Sequence, residues 1–258
     1  MIRYFCSSDI HSFFDIWMMS LTAKGFDINN PEHKIIVCGD VFDRGDKSVE
    51  CYEFMTSMID EGRLIYIRGN HEDLLFNCIQ DLRRGRHIGH HHVSNGTIKT
   101  LAHFMNCSEY DILCNCYNTS EFEAVVQELM QFIENNSVDY FELGDKVFVH
   151  GWIPTTVDDE NYEVVDDNWR DGDWKQARWN CGFDCWRCNL VPPDDKTVVC
   201  GHWHASYGWS QFRGRSEWGP DAEFVPFIDN KIIAIDACTP YTNMINVVVF
   251  DEEGNILE

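Results

Sequence analysis

The sequence is poor in positive charge and has no long hydrophobic run. Its 258 residues include 20 Lys and Arg against 43 Asp and Glu, which gives a formal net charge of −23 at pH 7. Because neutralisation of phosphates by Lys and Arg supplies most of the affinity of nucleic-acid binders, this balance disfavours general nucleic-acid binding. No stretch reaches the roughly 18 to 20 apolar residues that a membrane helix needs, so no membrane association is expected.

A secretion signal and internal repeats are also missing. The first residues, MIRYFCSSDIH, turn polar after six positions, which excludes the apolar core of a signal peptide. We therefore expect a cytoplasmic protein whose 12 Cys are reduced thiols, without a disulfide framework. No low-complexity linker divides the chain, and its length suits one α/β domain.

Short apolar runs bounded by Gly, Asp and Asn predict buried strands. They occupy residues 2–6, 35–38, 64–67, 147–149, 197–200, 232–235 and 245–250. The first three runs begin about 30 residues apart, which is the length of a βαβ unit with parallel strands. The last two runs, followed by a turn at 251–255, predict a consecutive β-segment.

Helical periodicity fills two of the intervals between these runs. Apolar residues recur at the spacing of one helix face from Val49 to Ile59, and again from Phe122 to Phe132. The polar stretch 83–96 and the acidic stretch 154–175 instead predict surface loops. Insertions of this length in a compact domain are more often functional than idle.

Five of the predicted strands are each followed by side chains of metal-ligating type. In chain order the motifs are DIH, GDVFDRG, RGNHE, HGW and GHWH. Because sites in open α/β sheets form beyond the carboxyl ends of the strands, these motifs are expected to converge. A capping or core role explains most single His or Asp residues, but five clusters at five strand ends favour one site.

The donor types in these motifs indicate two divalent cations. Asp, His and Asn with few thiolates suit Mn, Fe(II) or Zn and not an iron–sulfur cluster. Six such ligands are too many for one four-coordinate ion. They suit two ions that share a carboxylate, the arrangement used for in-line displacement at phosphorus.

In this order, the five motifs resemble those of the calcineurin-like metallophosphoesterases. GDVFDRG with RGNHE is similar to their phosphoprotein phosphatase branch, especially the small phage and bacterial Ser/Thr phosphatases. The resemblance covers residues 2 to about 250 and implies an α/β fold of two packed mixed sheets flanked by helices, with the active site at the C-terminal ends of the strands. It implies a single catalytic domain over residues 1–258, with insertions around 72–146 and 154–196, and no obligate regulatory subunit.

The resemblance also implies a role for each matching residue. Two divalent ions, Mn first with Fe or Zn as alternatives, would be held by Asp9, His11, Asp40, Asn70, His150 and His202. Asp40 would bridge the two ions. Arg44 would bind the substrate phosphate together with Asn70 and His71, and His71, oriented by Asp43, would be the general acid.

The chemistry of these residue types agrees with those roles. Two divalent cations on one solvent molecule lower its pKa enough to supply hydroxide at neutral pH, which attacks phosphorus directly. A Ser or Thr alkoxide is a poor leaving group, and a His paired with a carboxylate can protonate it. The expected function is hydrolysis of phosphate monoesters, first of all phosphoserine and phosphothreonine in proteins.

Three positions depart from the pattern of the phosphoprotein phosphatase branch. Ser12 replaces the usual Gly after DIH, and His204 adds a second imidazole that broader metallophosphoesterases use as a ligand of the first metal. The further phosphate-binding Arg has no clear equivalent. Arg178 lies in about the right region, with Arg170 and Arg187 as alternatives.

Other side chains of chemical interest have simpler explanations. The spacing of Cys181, Cys185 and Cys188 also occurs in iron–sulfur and zinc sites, but reduced thiols on a helix or loop are favoured. Trp152 could line the pocket beside His150. A solvated loop near the site mouth is expected to hold His87, His90, His91 and His92.

Two other functions stay open at this point. The alternative enzyme cleaves a phosphoanhydride or phosphodiester, as the related dinucleoside tetraphosphatases do with nearly the same ligands. A catalytically silent metal-binding module is the third hypothesis. Asp43, Arg44 and His71 argue against it, because a structural metal site needs neither a phosphate-binding Arg nor a general acid.

Overall fold

The computed structural model describes residues 1–257, and its strands alternate with helices along most of the chain. The strands are β1 (Arg3–Ser7), β2 (His33–Cys38), β3 (Leu64–Ile67), β4 (Ser137–Val138), β5 (Phe141–Leu143), β6 (Lys146–Phe148), β7 (Thr155–Val157), β8 (Glu163–Val165), β9 (Thr197–Cys200), β10 (Phe227–Asp229), β11 (Ile232–Ala234), β12 (Val248–Asp251) and β13 (Ile256–Leu257). The α-helices are α1 (Phe14–Ala23), α2 (Ser48–Asp60), α3 (Asn70–Arg83), α4 (His90–Ser94), α5 (Thr97–Phe104), α6 (Glu109–Asp111), α7 (Ser120–Asn136), α8 (Trp174–Ala177), α9 (Gly182–Arg187), α10 (Ala205–Arg213) and α11 (Thr239–Thr242). A π-helical turn covers Ile112–Cys116, and a 3-10 turn covers Trp169–Asp171.

Two mixed sheets form the centre of the molecule. The first has the order β13-β12-β1-β2-β3-β4, and the second has the order β10-β11-β9-β6-β5. β1, β2, β3 and β4 run parallel, whereas β12 runs antiparallel to β1. The predicted α/β architecture of two mixed sheets flanked by helices is therefore confirmed.

The sheets pack against each other through alternate side chains of their strands. Tyr4 and Cys6 of β1 belong to the apolar layer between the sheets, where they join Phe148 and Val199 of the second sheet. Phe5, between them in the chain, belongs to the layer under the helices that cover the first sheet. This alternation follows from the two-residue repeat of a strand and leaves both faces of β1 buried.

The predicted helices α2 and α7 are present and extend beyond their apolar repeats. Thr119 caps α7 because its Oγ1 accepts a hydrogen bond of 3.1 Å from the backbone N–H of Phe122. Phe122, Val126, Leu129 and Ile133 follow at intervals of three and four residues and are buried. Tertiary packing of this face holds the helix on the first sheet.

Three sequence-based expectations about local structure were wrong. The last two apolar runs do not form one β-segment, because β11 pairs with β9 and β10 while β12 pairs with β1 and β13. The polar stretch 83–96 contains helix α4, and the acidic stretch 154–175 contains the hairpin of β7 and β8.

Among residues 1–257, no helix has both the length and the apolar composition that are needed to span a membrane.

Candidate metal centre

Five loops at the carboxyl ends of the strands bring the motif side chains together. Asp9 and His11 follow β1, Asp40 follows β2, Asn70 follows β3, His150 follows β6 and His202 follows β9. Asp9, His11, Asp40 and His202 have left-handed backbone conformations, with φ between 49° and 65°. Non-glycine residues adopt this region at an energetic cost, and such strain concentrates at functional sites.

Asp40 lies at the centre of the candidate ligands. Its carboxylate oxygens are 3.3 Å from Nε2 of His150 and 3.9 Å from Nε2 of His11. Asp40 also belongs to both groups of side chains whose donor atoms lie within 4.8 Å of one another: His11, Asp40 and His71 in one, and Asp40, His150 and His202 in the other. Two groups joined by one carboxylate are the arrangement that a pair of divalent cations requires.

Backbone carbonyl groups fix the ring nitrogens of the three candidate imidazole ligands. Nδ1 of His11 donates to the carbonyl of Phe42 at 3.0 Å, and Nδ1 of His150 donates to that of Cys38 at 2.8 Å. His202 uses Nε2 instead, which donates to the carbonyl of Trp179 at 3.2 Å. His11 and His202 thereby keep their other nitrogen for a cation, as histidine ligands do in metal sites. The other nitrogen of His150, Nε2, lies 2.7 Å from Oδ1 of Asn70, so these two candidate donor atoms are neighbours. These residues therefore fit divalent metal.

The ionisation of the cluster suits cation binding. Burial lowers the pKa of His11 well below its ordinary value, and burial together with His150 lowers that of His202 to about 4. Burial alone would raise the pKa of Asp40, but His150, His71 and His11 lower it below its ordinary value. An ionised carboxylate with the neutral imidazoles of His11 and His202 beside it supplies the ligand forms that divalent ions bind.

His71 forms a buried pair with Asp43 next to this cluster. Its Nδ1 donates to Oδ2 of Asp43 at 2.7 Å, while its Nε2 lies 3.3 Å from the Arg44 guanidinium and 3.8 Å from Asp40 Oδ2. Burial lowers the pKa of His71, but the carboxylates of Asp40 and Asp43 outweigh it and raise the value to about 9. The two carboxylates therefore favour the imidazolium form of His71, beside the guanidinium of Arg44.

Two threonines that the sequence analysis did not identify hold Asp43 in place. Thr100 Oγ1 donates to Oδ1 of Asp43 at 2.9 Å, and Thr97 Oγ1 donates to Oδ2 at 3.1 Å. Both lie on α5, more than 50 residues after Asp43, so no local motif links them to it. They restrict Asp43 to one orientation and thereby orient the His71 ring.

Glu72 is a second residue whose role the sequence did not reveal. Its carboxylate accepts backbone N–H groups of Asp40 at 3.1 Å, Val41 at 2.9 Å and Gly69 at 2.7 Å. Glu72 is fully buried, and burial raises its pKa. By bonding to the loops after both β2 and β3, it fixes the distance between Asp40 and Asn70.

The structure does not bring Arg178 or its two alternatives to this cluster. Arg178 pairs with Asp73 at 2.9 Å and also with Asp139. Arg170 bonds to Glu142 and Asp194, and Arg187 bonds to Asp184. Among the described residues, Arg44 is the arginine that lines the cavity over the cluster.

His204 lines the cavity but uses its nitrogens elsewhere. Its Nδ1 lies 2.8 Å from Ser206 Oγ and accepts the N–H of Tyr207 at 3.2 Å, which caps α10. Its Nε2 faces Glu217 at 3.6 Å.

Ser12 adopts a φ of 61°, so it keeps the turn that the usual glycine would make, and its Oγ bonds to Ser48.

The remaining candidates have structural surroundings. Every cysteine within residues 1–257 is a free thiol, and the ligand groups found in that range include none of Cys181, Cys185 and Cys188. The expected solvated histidine loop was wrong in part, because His92 is buried in α4 whereas His91 lines the cavity. Trp152 is fully buried and donates to the carbonyl of Leu190, so it does not line the pocket.

The cavity above the cluster has a volume of about 720 Å³. Its floor consists of the motif residues Asp9, His11, Asp40, Asn70, His71 and His202. Higher on its wall are His91, Asn95, Trp179, Trp203 and Pro240. Because a phosphate group fills only a small part of this volume, the wall is available to the rest of a substrate.

Comparisons with known proteins agree with this geometry. The asymmetrical bis(5'-nucleosyl)-tetraphosphatase PrpE of Bacillus subtilis is 31% identical over 85 residues, and that of Bacillus velezensis is 30% identical over 85 residues. The matches cover 31% of this chain and 35% and 34% of those proteins, so the chain spans about a third of their length. The structure of the cold-active protein-tyrosine phosphatase of a psychrophilic Shewanella species is similar over 98% of this chain and 76% of that chain, with 16% identity and a TM-score of 0.51, which shows a shared fold.

The sequence model of the calcineurin-like phosphoesterase family matches residues 2–231, nearly the whole chain. The motif resemblance in the sequence is thereby confirmed at the level of the family. The chain belongs to the calcineurin-like phosphoesterase family.

Proposed function

We propose that the protein hydrolyses phosphate monoesters of alcohols, with phosphoserine and phosphothreonine in proteins as the first substrate class. Two divalent ions, Mn first, would be held by Asp9, His11, Asp40, Asn70, His150 and His202, with Asp40 shared between them. When bound, such ions supply Lewis acidity and lower the pKa of water. The carbonyl-oriented rings of His11, His150 and His202 support this ligand set.

Arg44 and His71 would act on the substrate itself. The Arg44 guanidinium matches the geometry of two phosphate oxygens and would hold the phosphoryl group. Nε2 of His71, 3.3 Å from that guanidinium, would then face the ester oxygen and give it a proton as the bond to phosphorus breaks. Asp43 would keep the ring oriented through Nδ1.

The observation that carries this proposal is the buried Asp43–His71 pair. A phosphoanhydride or aryl phosphate has a good leaving group that hardly needs a proton, whereas an alkoxide needs one. A substrate panel on Mn-loaded protein tests the proposal, with phosphoserine and phosphothreonine peptides, an aryl phosphate, a dinucleoside tetraphosphate and a cyclic nucleotide. Highest turnover on the phosphopeptides is expected. No turnover of any substrate, despite bound metal, would instead support the silent metal-binding module.

Nucleotides form a second candidate substrate class. The match over 85 residues to two bis(5'-nucleosyl)-tetraphosphatases supports them, and so do the tryptophans on the cavity wall. This candidate predicts the opposite ranking in the substrate panel, with the dinucleoside tetraphosphate turned over faster than the phosphopeptides.

We also propose that residues 1–258 act as one catalytic domain in the cytoplasm, without an obligate regulatory subunit. Pairing of β1 with β12 supports the single domain, because strands from both ends of the chain share a sheet. The free thiols are consistent with a reducing compartment. Limited proteolysis that yields two separately stable fragments would contradict the single domain.

A further inference from the structure

Two tryptophans on the cavity wall have no part in the proposed catalytic steps. Trp179 and Trp203 both line the cavity that contains Arg44 and His71. Trp179 is 46% exposed and Trp203 is 36% exposed. The tryptophans at positions 17, 152, 169 and 174 are instead buried. Indole rings left in contact with water inside a substrate cavity offer flat apolar faces for stacking.

The backbones of both tryptophans form hydrogen bonds with the loop that carries His202. The carbonyl of Trp179 accepts the 3.2 Å hydrogen bond from His202 Nε2, and its ring lies 6.2 Å from the His202 ring at 82°. Trp203 follows His202 directly, its N–H donates to Gly201, and its ring lies 5.2 Å from that of Tyr207. The backbones of both tryptophans are therefore tied to the loop of His202, and each ring packs against a neighbouring aromatic ring.

From this arrangement we infer that Trp179 and Trp203 bind the nucleobase of a nucleotide whose phosphate lies at Arg44 and His71. Stacking on aromatic side chains is the general way in which proteins bind bases without reading their sequence. The cavity volume of about 720 Å³ falls within the range of sites that enclose a molecule of nucleotide size. This inference rests on the proposed hydrolysis and develops its second substrate class.

The depth of the two parts of the cavity favours a base over the ring of a phosphotyrosine. His71 and Asn70 on the floor are at most 5% exposed, whereas the tryptophans lie where solvent reaches them. A tyrosyl ring is bonded directly to the phosphate oxygen, so it would stay near the floor. A nucleobase is separated from its 5'-phosphate by a ribose, which allows it to reach the rim. Pro240, also in the lining and exposed, adds apolar surface to the cavity.

Adenosine 5'-monophosphate and ribose 5-phosphate test the inference, because both release a primary ribosyl alkoxide, and the sugar carries a base in one and a hydroxyl group in the other. With Mn-loaded protein we expect kcat/KM to be about tenfold higher for the nucleotide, given the usual strength of base stacking. Trp179→Ala and Trp203→Ala should each lower this ratio toward one, while Trp179→Phe keeps most of it. Trp218→Ala is the matched control, since Trp218 is 49% exposed but is not part of the cavity lining.

Equilibrium binding of both compounds to the protein, measured by calorimetry, gives a second readout that does not need turnover. Tighter binding of the nucleotide that the Trp179→Ala and Trp203→Ala variants lose supports the base site even if neither compound is hydrolysed; that result would contradict only the proposed activity. Equal kcat/KM and equal affinity for the two compounds in the unmodified protein would overturn the base site and leave the hydrolysis proposal standing. A nucleotide preference that persists in both variants would overturn it as well.

Discussion

Nδ1 of His71 and Oδ2 of Asp43 lie 2.7 Å apart, and both side chains are at most 5% exposed. The pair leaves Nε2 of His71 facing Arg44 and Asp40, on the floor of the cavity. In the proposed reaction His71 gives a proton to the leaving group, so its removal should matter more for a poor leaving group than for a good one.

His71→Asn should reduce kcat on a phosphoserine peptide by about 10²- to 10⁴-fold, the usual contribution of a general acid. The loss on an aryl phosphate should be much smaller, because a phenolate leaves without a proton. Steady-state kinetics on both substrates measure the difference. His87→Asn, an exposed histidine outside the cavity lining, serves as the control. Equal losses on the two substrates would remove His71 from the acid role.

Asp40→Asn should lower the affinity for both metal ions together, because its carboxylate belongs to both ligand groups. Titration of metal-free protein with Mn²⁺, followed by calorimetry, measures the number of ions and their affinities. Asp43→Asn changes the same loop outside those groups and should retain two ions. If Asp40→Asn weakens one ion and spares the other, the carboxylate does not bridge.

Glu72→Gln should lower the free energy of unfolding by about 2 kcal/mol, since an amide replaces one acceptor oxygen with a donor that faces backbone N–H groups. Urea denaturation of the metal-free protein measures the change. Glu53→Gln, on the exposed side of α2, should stay within about 0.5 kcal/mol of the unmodified protein. Equal stability of the two variants would mean that Glu72 does not hold the loops.

Replacement by Gln should affect stability at Arg178 and catalysis at Arg44. Arg178→Gln removes the ion pairs of Arg178 with Asp73 and Asp139, while Asp73 keeps Arg68 at 2.8 Å, so it should lower stability by about 1–2 kcal/mol with little change in KM. Arg44→Gln removes the guanidinium in the cavity and should lower kcat/KM about 100-fold for phosphate esters. Denaturation and kinetics of both variants separate the two effects. A large rise in KM for Arg178→Gln would restore it as a phosphate ligand.

His33 should make the protein less stable in mild acid. Burial and Arg3 lower its pKa in the folded state, and its Nδ1 accepts the N–H of Asp27 at 2.9 Å. Protonation therefore favours the unfolded chain, so stability is retained above the unfolded pKa of about 6.5 and is lost as pH falls below it. His33→Asn keeps an acceptor that does not titrate. Its unfolding free energy, measured between pH 7 and pH 5, should fall less steeply; an unchanged slope would contradict this role.

The sequence predicts the strands and motif loops well because their signals are local. β3 and β9 coincide with their apolar runs, and the motif residues follow the strands directly. The pairing of β12 with β1 could not be read in the same way, since it joins residues about 245 positions apart and leaves no trace in local periodicity. The expected consecutive β-segment failed for this reason.

Side-chain roles that depend on distant partners also escaped the sequence. Thr97 and Thr100 reach Asp43 only because α5 packs beside the loop after β2. Arg178 directly precedes the cavity residue Trp179 in the sequence, but the carboxylates of Asp73 and Asp139 hold its guanidinium outside the cavity lining. Trp152 was the tryptophan suggested by proximity to His150, yet the cavity exposes Trp179 and Trp203. Identity of a side chain indicates its chemistry, and only the fold supplies its neighbours.

The position of β1 between β2 and β12 also bears on synthesis of the protein. During synthesis β2 emerges from the ribosome soon after β1, but β12 emerges only about 210 residues after β2. Until then β1, which leads into Asp9 and His11, has an open edge and lacks one of its two neighbours. Nascent chains should therefore acquire tight cation binding only after β12 has emerged, and truncated chains that end before β12 should need chaperones to avoid aggregation.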